Sequence, residues 1–281
     1  MASDLGLHHS NPADPSLKDL NPVDIEVRRR LFWSCQFWDK AISLYTGRMP
    51  ALTDVPDNVS FVFLDDSSEA ESWSPFCADS VAMTRLAPGE YPTRKGHYVS
   101  CFANSCKLSV IINDIIINLY SRRGVRNLNG DLEQITTKLA AWRAQSPAHL
   151  KYDAEDLPEI CPPPHIISQN LLYHTSVILA HRPFWSGPAH YEACVSAAQS
   201  IEKLLLLIER TFGFDNITCL MAYCVYTGAS ALLRDAKSGN ADAAAKVQTF
   251  TRALRTGAKK CPLLERSLDI IKKGLFKPSP A

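Results

Sequence analysis

The stretch EVRRRLFWSCQFWDKAISLYTGRMP, Glu26 to Pro50, decides how the rest of the chain is read. Three consecutive arginines, Arg28 to Arg30, run straight into Leu31, Phe32 and Trp33. Basic residues interleaved with aromatics suit a nucleic-acid surface. They equally suit the entrance of a buried helix. Asn21-Pro22 supplies a helix start, with Asn as N-cap, Pro at the first helical position and Asp24 in the first turn. The helix is expected to run to Thr46, where Gly47 ends it. Its apolar residues form two stripes at helical spacing, Leu31, Cys35, Trp38, Ile42 and Tyr45, and Trp33, Phe37, Ala41 and Leu44. A helix apolar on two opposite sides is expected to lie between neighbours as a central element, with Trp33 and Trp38 both buried. The arginines point in three directions, and Glu26 precedes Arg29 by three residues and Arg30 by four. The triplet therefore reads as a solvated, internally paired helix entrance rather than a recognition helix. Asp39, beside Trp38 on an otherwise apolar helix, needs a basic partner. Arg48 or Arg182 is expected to supply it, because Arg offers a bidentate fork.

The bulk numbers agree with a folded chain that has no electrostatic appetite for polyanions. Of 281 residues, 46% are hydrophobic, enough for a real core, and Lys+Arg 30 against Asp+Glu 29 leaves a net charge of +1. That balance excludes a global pull toward nucleic acid or acidic lipid. The terminus MASDLGLHHSNPADPSL has no basic flank or apolar core for a secretory signal. No uninterrupted apolar run reaches the roughly 18 residues of a membrane span; Val110–Leu119 is broken by Asn113 and Asp114. The expectation is a soluble, intracellular chain with no membrane partner. Nine cysteines without a framework suit reduced, mostly buried thiols. Cys101/Cys106 and Cys219/Cys224 are each five residues apart, which on a helix leaves the thiols about 140° apart, the wrong geometry for one metal. His8-His9 has no third ligand nearby, so no metal or cofactor is expected in this chain.

From Thr53 to about Tyr98 the sequence is loop-like, with prolines, serines and an acidic cluster, and Val59–Leu64 is its strand-like run. Helical patterns follow at Val99–Arg123, Asp131–Gln145, Ile166–His181, about Ala189–Thr211, Asp215–Ala236 and Ala241–Lys259, with a short one at Ser267–Gly274. The fold class is all-α: an irregular bundle of about seven to eight helices with a long loop excursion near residues 53–98. Phosphate loops, dinucleotide fingerprints and nucleophile elbows are absent from the sequence. Asp65, Asp66 and Glu69 share the spacing of the DDxxD/E magnesium motif of terpene synthases, and Asn113 to Ser121 echoes their second motif. That motif needs a hydroxyl at Ile117 and an acid at Ser121, and both ligands are missing. The chain is therefore not expected to be an enzyme.

ASDLGLHH followed by EVRRRLFWSCQFWDKAISLYTGRMPAL closely resembles the signature of the regulatory, middle homology domain of fungal binuclear zinc-cluster transcription factors. The residues that carry the resemblance are Leu5 to His8, Glu26, Arg28, Arg29, Arg30, Trp33, Asp39, Gly47 and Arg48. Further on, LAAWRAQSPAHL resembles the family's L-x-x-W…LP-x-HL helix end. YHTSVILAHRPF resembles its Y-H…LL-H-RPF helix, through His174, His181, Arg182, Pro183 and Phe184. Met49 stands where the family has proline, and Lys40 where arginine is common. The resemblance implies a nuclear regulator of RNA polymerase II transcription, with residues 1–277 an N-terminally incomplete regulatory domain and 278–281 a tail. In the family, DNA is bound and zinc held by an N-terminal cluster of six cysteines outside this stretch, so DNA contact is expected only through that region. A small-molecule effector is the expected kind of ligand, with Asn170, His174 and Tyr223 as candidate pocket residues. A homodimer or a co-regulator protein is the other partner considered. The alternative is a helical scaffold protein that kept the fold without DNA binding.

Overall fold

The computed structural model describes residues 6–7, 20–54, 60–78, 81–82, 84–87, 89–121 and 127–276. Leu5, His8, His9, Val59 and the 278–281 tail lie outside the described residues. Asn21 opens α1 (Pro22–Thr46) as expected: its side chain accepts the Asp24 amide at 2.8 Å, and Pro22 fills the first position. Gly47 closes the helix at φ 68°, its amide donating to the Ser43 carbonyl at 2.9 Å. That left-handed backbone is cheap only for glycine.

The buried face of α1 is not the one its apolar pattern suggests. Phe32 and Trp33 are buried, but so are Glu26, Gln36, Lys40 and Ser43. Leu31 and Ile42 are exposed, and Trp38 is 56% exposed. The expectation that α1 lies between neighbours with both tryptophans in the core is thus corrected: one face is buried, and much of it is polar.

The described chain divides into two compact units, Met1–Ser72 with Lys95–Pro147, and Trp73–Arg94 with Ala148–Ala281. In the first unit α1 packs on α2 (Tyr98–Asp114), which continues into a π-helical stretch, Ile115–Tyr120. Leu7, Phe32, Trp33, Phe63 and Cys106 form a core cluster, with Phe61 stacked on Trp33 at 4.2 Å. The run Tyr98–Tyr120 is long and apolar enough to cross a membrane by length and composition alone, although Asn113 and Asp114 interrupt it. In this fold its Leu108, Ile111, Ile112 and Ile115 are buried in the protein. Helix α3 (Leu128–Gln145) buries Leu132, Ile135, Leu139 and Trp142, the face its spacing predicts. The Trp142 indole donates to the Asn104 carbonyl at 2.9 Å, tying α3 to α2.

The second unit is built from α4 (Pro164–His181), α5 (Pro188–Thr211), α6 (Cys219–Lys237), α7 (Ala241–Ala258) and α8 (Glu265–Phe276). Helix α6 starts at Cys219 rather than near Asp215 because the Thr218 hydroxyl accepts the Met221 amide and caps the helix there. The approach of α6 to α5 and α7 is tight at Gly228: a Cβ would lie 3.1 Å from Phe250 and 3.4 Å from Ile201. Among the described residues the strands are only two residues long, and Ser60–Leu64, expected to be strand-like, forms no strand.

These burials give opposite outcomes for the two tryptophans. Trp33→Ala is expected to cost about 3–5 kcal/mol, the usual range for emptying an aromatic core site. Trp38→Ala is expected to stay within about 0.5 kcal/mol, as for a surface change. Urea unfolding of the two variants checks both values.

Candidate functional site

The polar face of α1 is explained by the chain that returns along it. Residues 52–54 and 60–65 lie beside the helix, and several of their backbone groups bond to α1 side chains. Lys40 Nζ donates to the Leu52 carbonyl, and Gln36 Nε2 to Asp54 at 3.1 Å. Trp33 Nε1 donates to Ser60 at 3.1 Å and Arg29 Nη1 to Val62 at 3.0 Å. The Leu64 amide donates to Glu26 Oε1 at 3.1 Å, and Arg30 Nη2 donates to the Asp65 carbonyl. Positions 26, 29, 30, 33, 36 and 40 recur every three or four residues, so all six fall on one side of the helix.

Glu26 holds the upper part of this ladder. It is buried, and it accepts Arg30 Nε at 2.9 Å and Arg29 Nη1 at 3.3 Å, the pairing that the spacing suggests. The arginines are not a solvated entrance, however. Arg28 Nη2 donates to the Gly6 carbonyl at 2.9 Å, and the Arg30 guanidinium lies over the Phe63 ring at 5.1 Å. Each arginine head is thus committed to the chain's own backbone, which corrects the sequence reading.

Asp39 finds its cation next door. Its Oδ2 lies 3.0 Å from Lys40 Nζ, and its two oxygens accept the Ala51 and Leu52 amides at 3.0 Å each. Arg48 and Arg182 do not pair with it. Arg48 is exposed beyond Gly47, and Arg182 donates to the Thr227 carbonyl at 3.2 Å and to the Ser230 hydroxyl. Lys40 is wholly buried, and burial pushes its ammonium down from the usual lysine value while Asp39 pushes back. Burial also pushes Asp39 up, but the Leu52 and Ala51 amides and Lys40 outweigh it and leave the carboxyl lowered.

The acidic loop that echoes a magnesium motif has a different task. Glu69 accepts the Ser100 amide at 2.8 Å and its hydroxyl at 2.6 Å, and lies 2.9 Å from His97 Nδ1. Burial pushes the Glu69 carboxyl up, but the two Ser100 bonds and His97 outweigh it and hold it below the ordinary glutamate value. It therefore caps α2 from a distance, where His97 at φ 51° occupies the N-cap position without a side-chain cap bond.

In the second unit the resemblance residues gather at the α4–α5 corner. His181 Nδ1 lies 3.0 Å from His190 Nδ1, Phe184 packs against His190, and Pro183 sits in the turn Arg182–Phe184. Two facing ring nitrogens can bond only with one protonated and the other not. Burial, and then the charge of His190, push His181 below the usual histidine value.

Of the three candidate pocket residues, Asn170 and His174 lie on α4 and Tyr223 on α6. Asn170 is saturated by its own segment, donating to the Leu150 and Ile166 carbonyls at 2.8 and 2.9 Å and accepting the Tyr152 amide at 3.1 Å. His174 packs edge-on against Tyr173, and burial raises the Tyr223 hydroxyl to about 12. A groove of about 630 Å³ opens elsewhere, between α6, α7 and α8, lined in part by Val247, Arg252, Arg255, Lys272 and Leu275. Sequence reasoning missed it because its walls come from three helices that each look like ordinary amphipathic elements.

Comparison with known proteins places this geometry. The fungal specific transcription factor domain matches residues 1–144, the stretch that holds the whole α1 ladder. The chain belongs to this family. The nitrogen assimilation transcription factor nirA of Emericella nidulans is 30% identical to it over 260 residues, covering 86% of the chain and 27% of nirA. The nitrogen assimilation transcription factor nit-4 of Neurospora crassa is 25% identical, covering 96% of the chain and 24% of nit-4. The fusaridione A cluster transcription factor fsdR of Fusarium heterosporum is 24% identical, over 80% of the chain and 42% of fsdR. The chain therefore spans well under half the length of these relatives. No solved structure matches it. Glu26, Arg29, Arg30, Trp33 and Asp39, which carry the family resemblance, all bind the backbone of the returning segment in this chain.

Two outcomes follow for these groups. Glu26→Ala leaves Arg29, Arg30 and the Leu64 amide without their shared acceptor and is expected to cost about 3 kcal/mol. Asp39→Ala alone should destabilise more than Asp39→Ala with Lys40→Met, because the single change strands a buried ammonium; a double-mutant cycle in urea checks this. For His181, a lowered folded value means the unfolded chain takes up the proton first. Its contribution to stability is full above the unfolded value of about 6.5 and is lost as pH falls below it. Melting temperatures between about pH 7.5 and 5 should fall more steeply for the native chain than for His181→Gln.

Proposed function

We propose that this chain is the regulatory domain of a nuclear fungal transcription factor controlling RNA polymerase II transcription, and that it neither reads DNA itself nor catalyses a reaction. The observation that carries the reading is the α1 ladder. The residues of the family signature hold one internal segment in place, so the signature builds a domain rather than a contact surface for DNA. Membership of the family and similarity to curated transcription factors support the regulatory role. The occupied arginine heads and the net charge of +1 support the absence of DNA reading. The bonds from Ser100 to Glu69 give the acidic loop a structural task at the start of α2, which supports a non-catalytic reading.

Within this reading, the groove between α6, α7 and α8 is the place for a small-molecule effector. Its apolar floor and the exposed Arg255 and Lys272 favour an anionic one.

The test is a fusion of this chain to an unrelated DNA-binding domain at a reporter promoter. A regulatory domain changes reporter output, and Glu26→Ala abolishes the change. Output equal to that of the DNA-binding domain alone favours the scaffold alternative. The chain alone is expected to give no sequence-selective mobility shift at about 150 mM salt, where charges beyond roughly 8 Å are screened. A sequence-selective complex there overturns the claim that it does not read DNA.

A further inference from the structure

Cys219 and Cys261 lie far apart in sequence, yet their sulfurs face each other at 3.6 Å. Cys219 is the first residue of α6 and is exposed; Cys261 is half-buried at the start of the turn Pro262–Leu264, between α7 and α8. We propose that this pair is an oxidation site: a dithiol that a hydroperoxide converts to a disulfide, joining the start of α6 to the α7–α8 turn.

Facing sulfurs with one exposed member set this pair apart among the described cysteines, and Cys35 is half-buried like Cys261. Cys101, Cys106, Cys161, Cys194 and Cys224 are buried. Burial raises their thiols, to about 12 for Cys101 and Cys224 and about 11 for Cys194, which keeps them protonated and inert. Partial burial and then the Cys261 thiol raise Cys219 as well, so oxidant attack at Cys219 proceeds through a small thiolate fraction. Exposure makes Cys219 the first to react. Its thiolate attacks the peroxide oxygen, an S–O bond forms, the O–O bond breaks, and the alcohol or water leaves. Cys261, losing its proton, then displaces the sulfenic hydroxyl as water and forms the S–S bond. Two thiol protons and two electrons go to the hydroperoxide, which becomes an alcohol and water. The second step needs only a small approach of sulfurs already in contact, and no other protein.

The cross-link joins positions 42 apart in sequence and closes a loop containing α6 and α7, so it should raise the melting temperature of this unit. These are also two of the helices that wall the groove.

The experiment treats the purified chain with hydrogen peroxide, blocks remaining thiols with iodoacetamide and maps peptides by mass spectrometry. The expected result is one Cys219–Cys261 linked peptide, the buried cysteines remaining alkylatable after unfolding, and a melting temperature several degrees higher that dithiothreitol reverses. Cys219→Ser, an exposed change that should leave the reduced melt unaltered, is expected to abolish the link and leave a sulfenic acid on Cys261 that dimedone traps. Cys219 and Cys261 oxidised separately to sulfinic acids overturns the proposal. So does either one linked to a different cysteine, or both still alkylatable after the other thiols have reacted.

Discussion

A backbone that lies against a helix without joining a sheet must have its carbonyls and amides satisfied by something else. Residues 52–54 and 60–65 are in that position. Each unpaired buried backbone group costs about as much as a lost hydrogen bond, and α1 supplies the partners from one face. The arginines reach the farthest carbonyls, Trp33 donates from a ring that is also the centre of the apolar cluster, and Lys40 and Gln36 serve the near end. The choice of donors follows from reach. Arg29 and Arg30 bridge a gap that a shorter side chain leaves open, and their charge is balanced at its root by Glu26. A half-buried arginine in such a place is best held by both a carbonyl and a carboxylate, and both are present.

That arrangement also explains where reasoning from periodicity succeeds and fails. Helices whose buried faces are apolar are legible: α3 buries Leu132, Ile135, Leu139 and Trp142 as its spacing says, and the caps at Asn21 and Gly47 are where the residue types place them. On α1 the same rule picks the wrong face. It assumes that burial follows hydrophobicity, whereas here burial follows the need to serve a neighbouring backbone. The one available signal is Glu26 followed by arginines three and four residues on, beside a tryptophan whose indole must donate somewhere. Lys40 next to Asp39 is a weaker signal, because adjacent residues on a helix do not ordinarily face one another. They meet here because both turn toward the strand-free segment at Ala51 and Leu52.

The candidate sites separate along the same line. Residues of the family signature are legible one by one, but their role is not, since a donor's role is set by a carbonyl that carries no side-chain signature. Asn170 illustrates this: a polar residue on an apolar helix suggests a ligand, yet it bonds main-chain groups of its own unit at Leu150, Tyr152 and Ile166. The dithiol is illegible for a different reason. Cys219 looks toward Cys224 in sequence, and its real neighbour, Cys261, is set by the turn that follows α7.

The two units consequently differ in what specifies them. In the second, Leu171, Ile178, Ala198, Leu204, Leu205, Val225 and Phe250 are wholly buried, and shape fitted around the close approach at Gly228 does most of the specifying. Such a core accepts volume-conserving apolar changes. In the first unit, the register of residues 52–54 and 60–65 on α1 is set by hydrogen bonds between unlike groups, and sliding either piece by one residue would leave polar α1 side chains without their partners. Apolar contacts are tolerant of small slips, whereas these polar ones are not. The signature residues thus read as a register device, holding a segment with no regular structure of its own at one position along the helix.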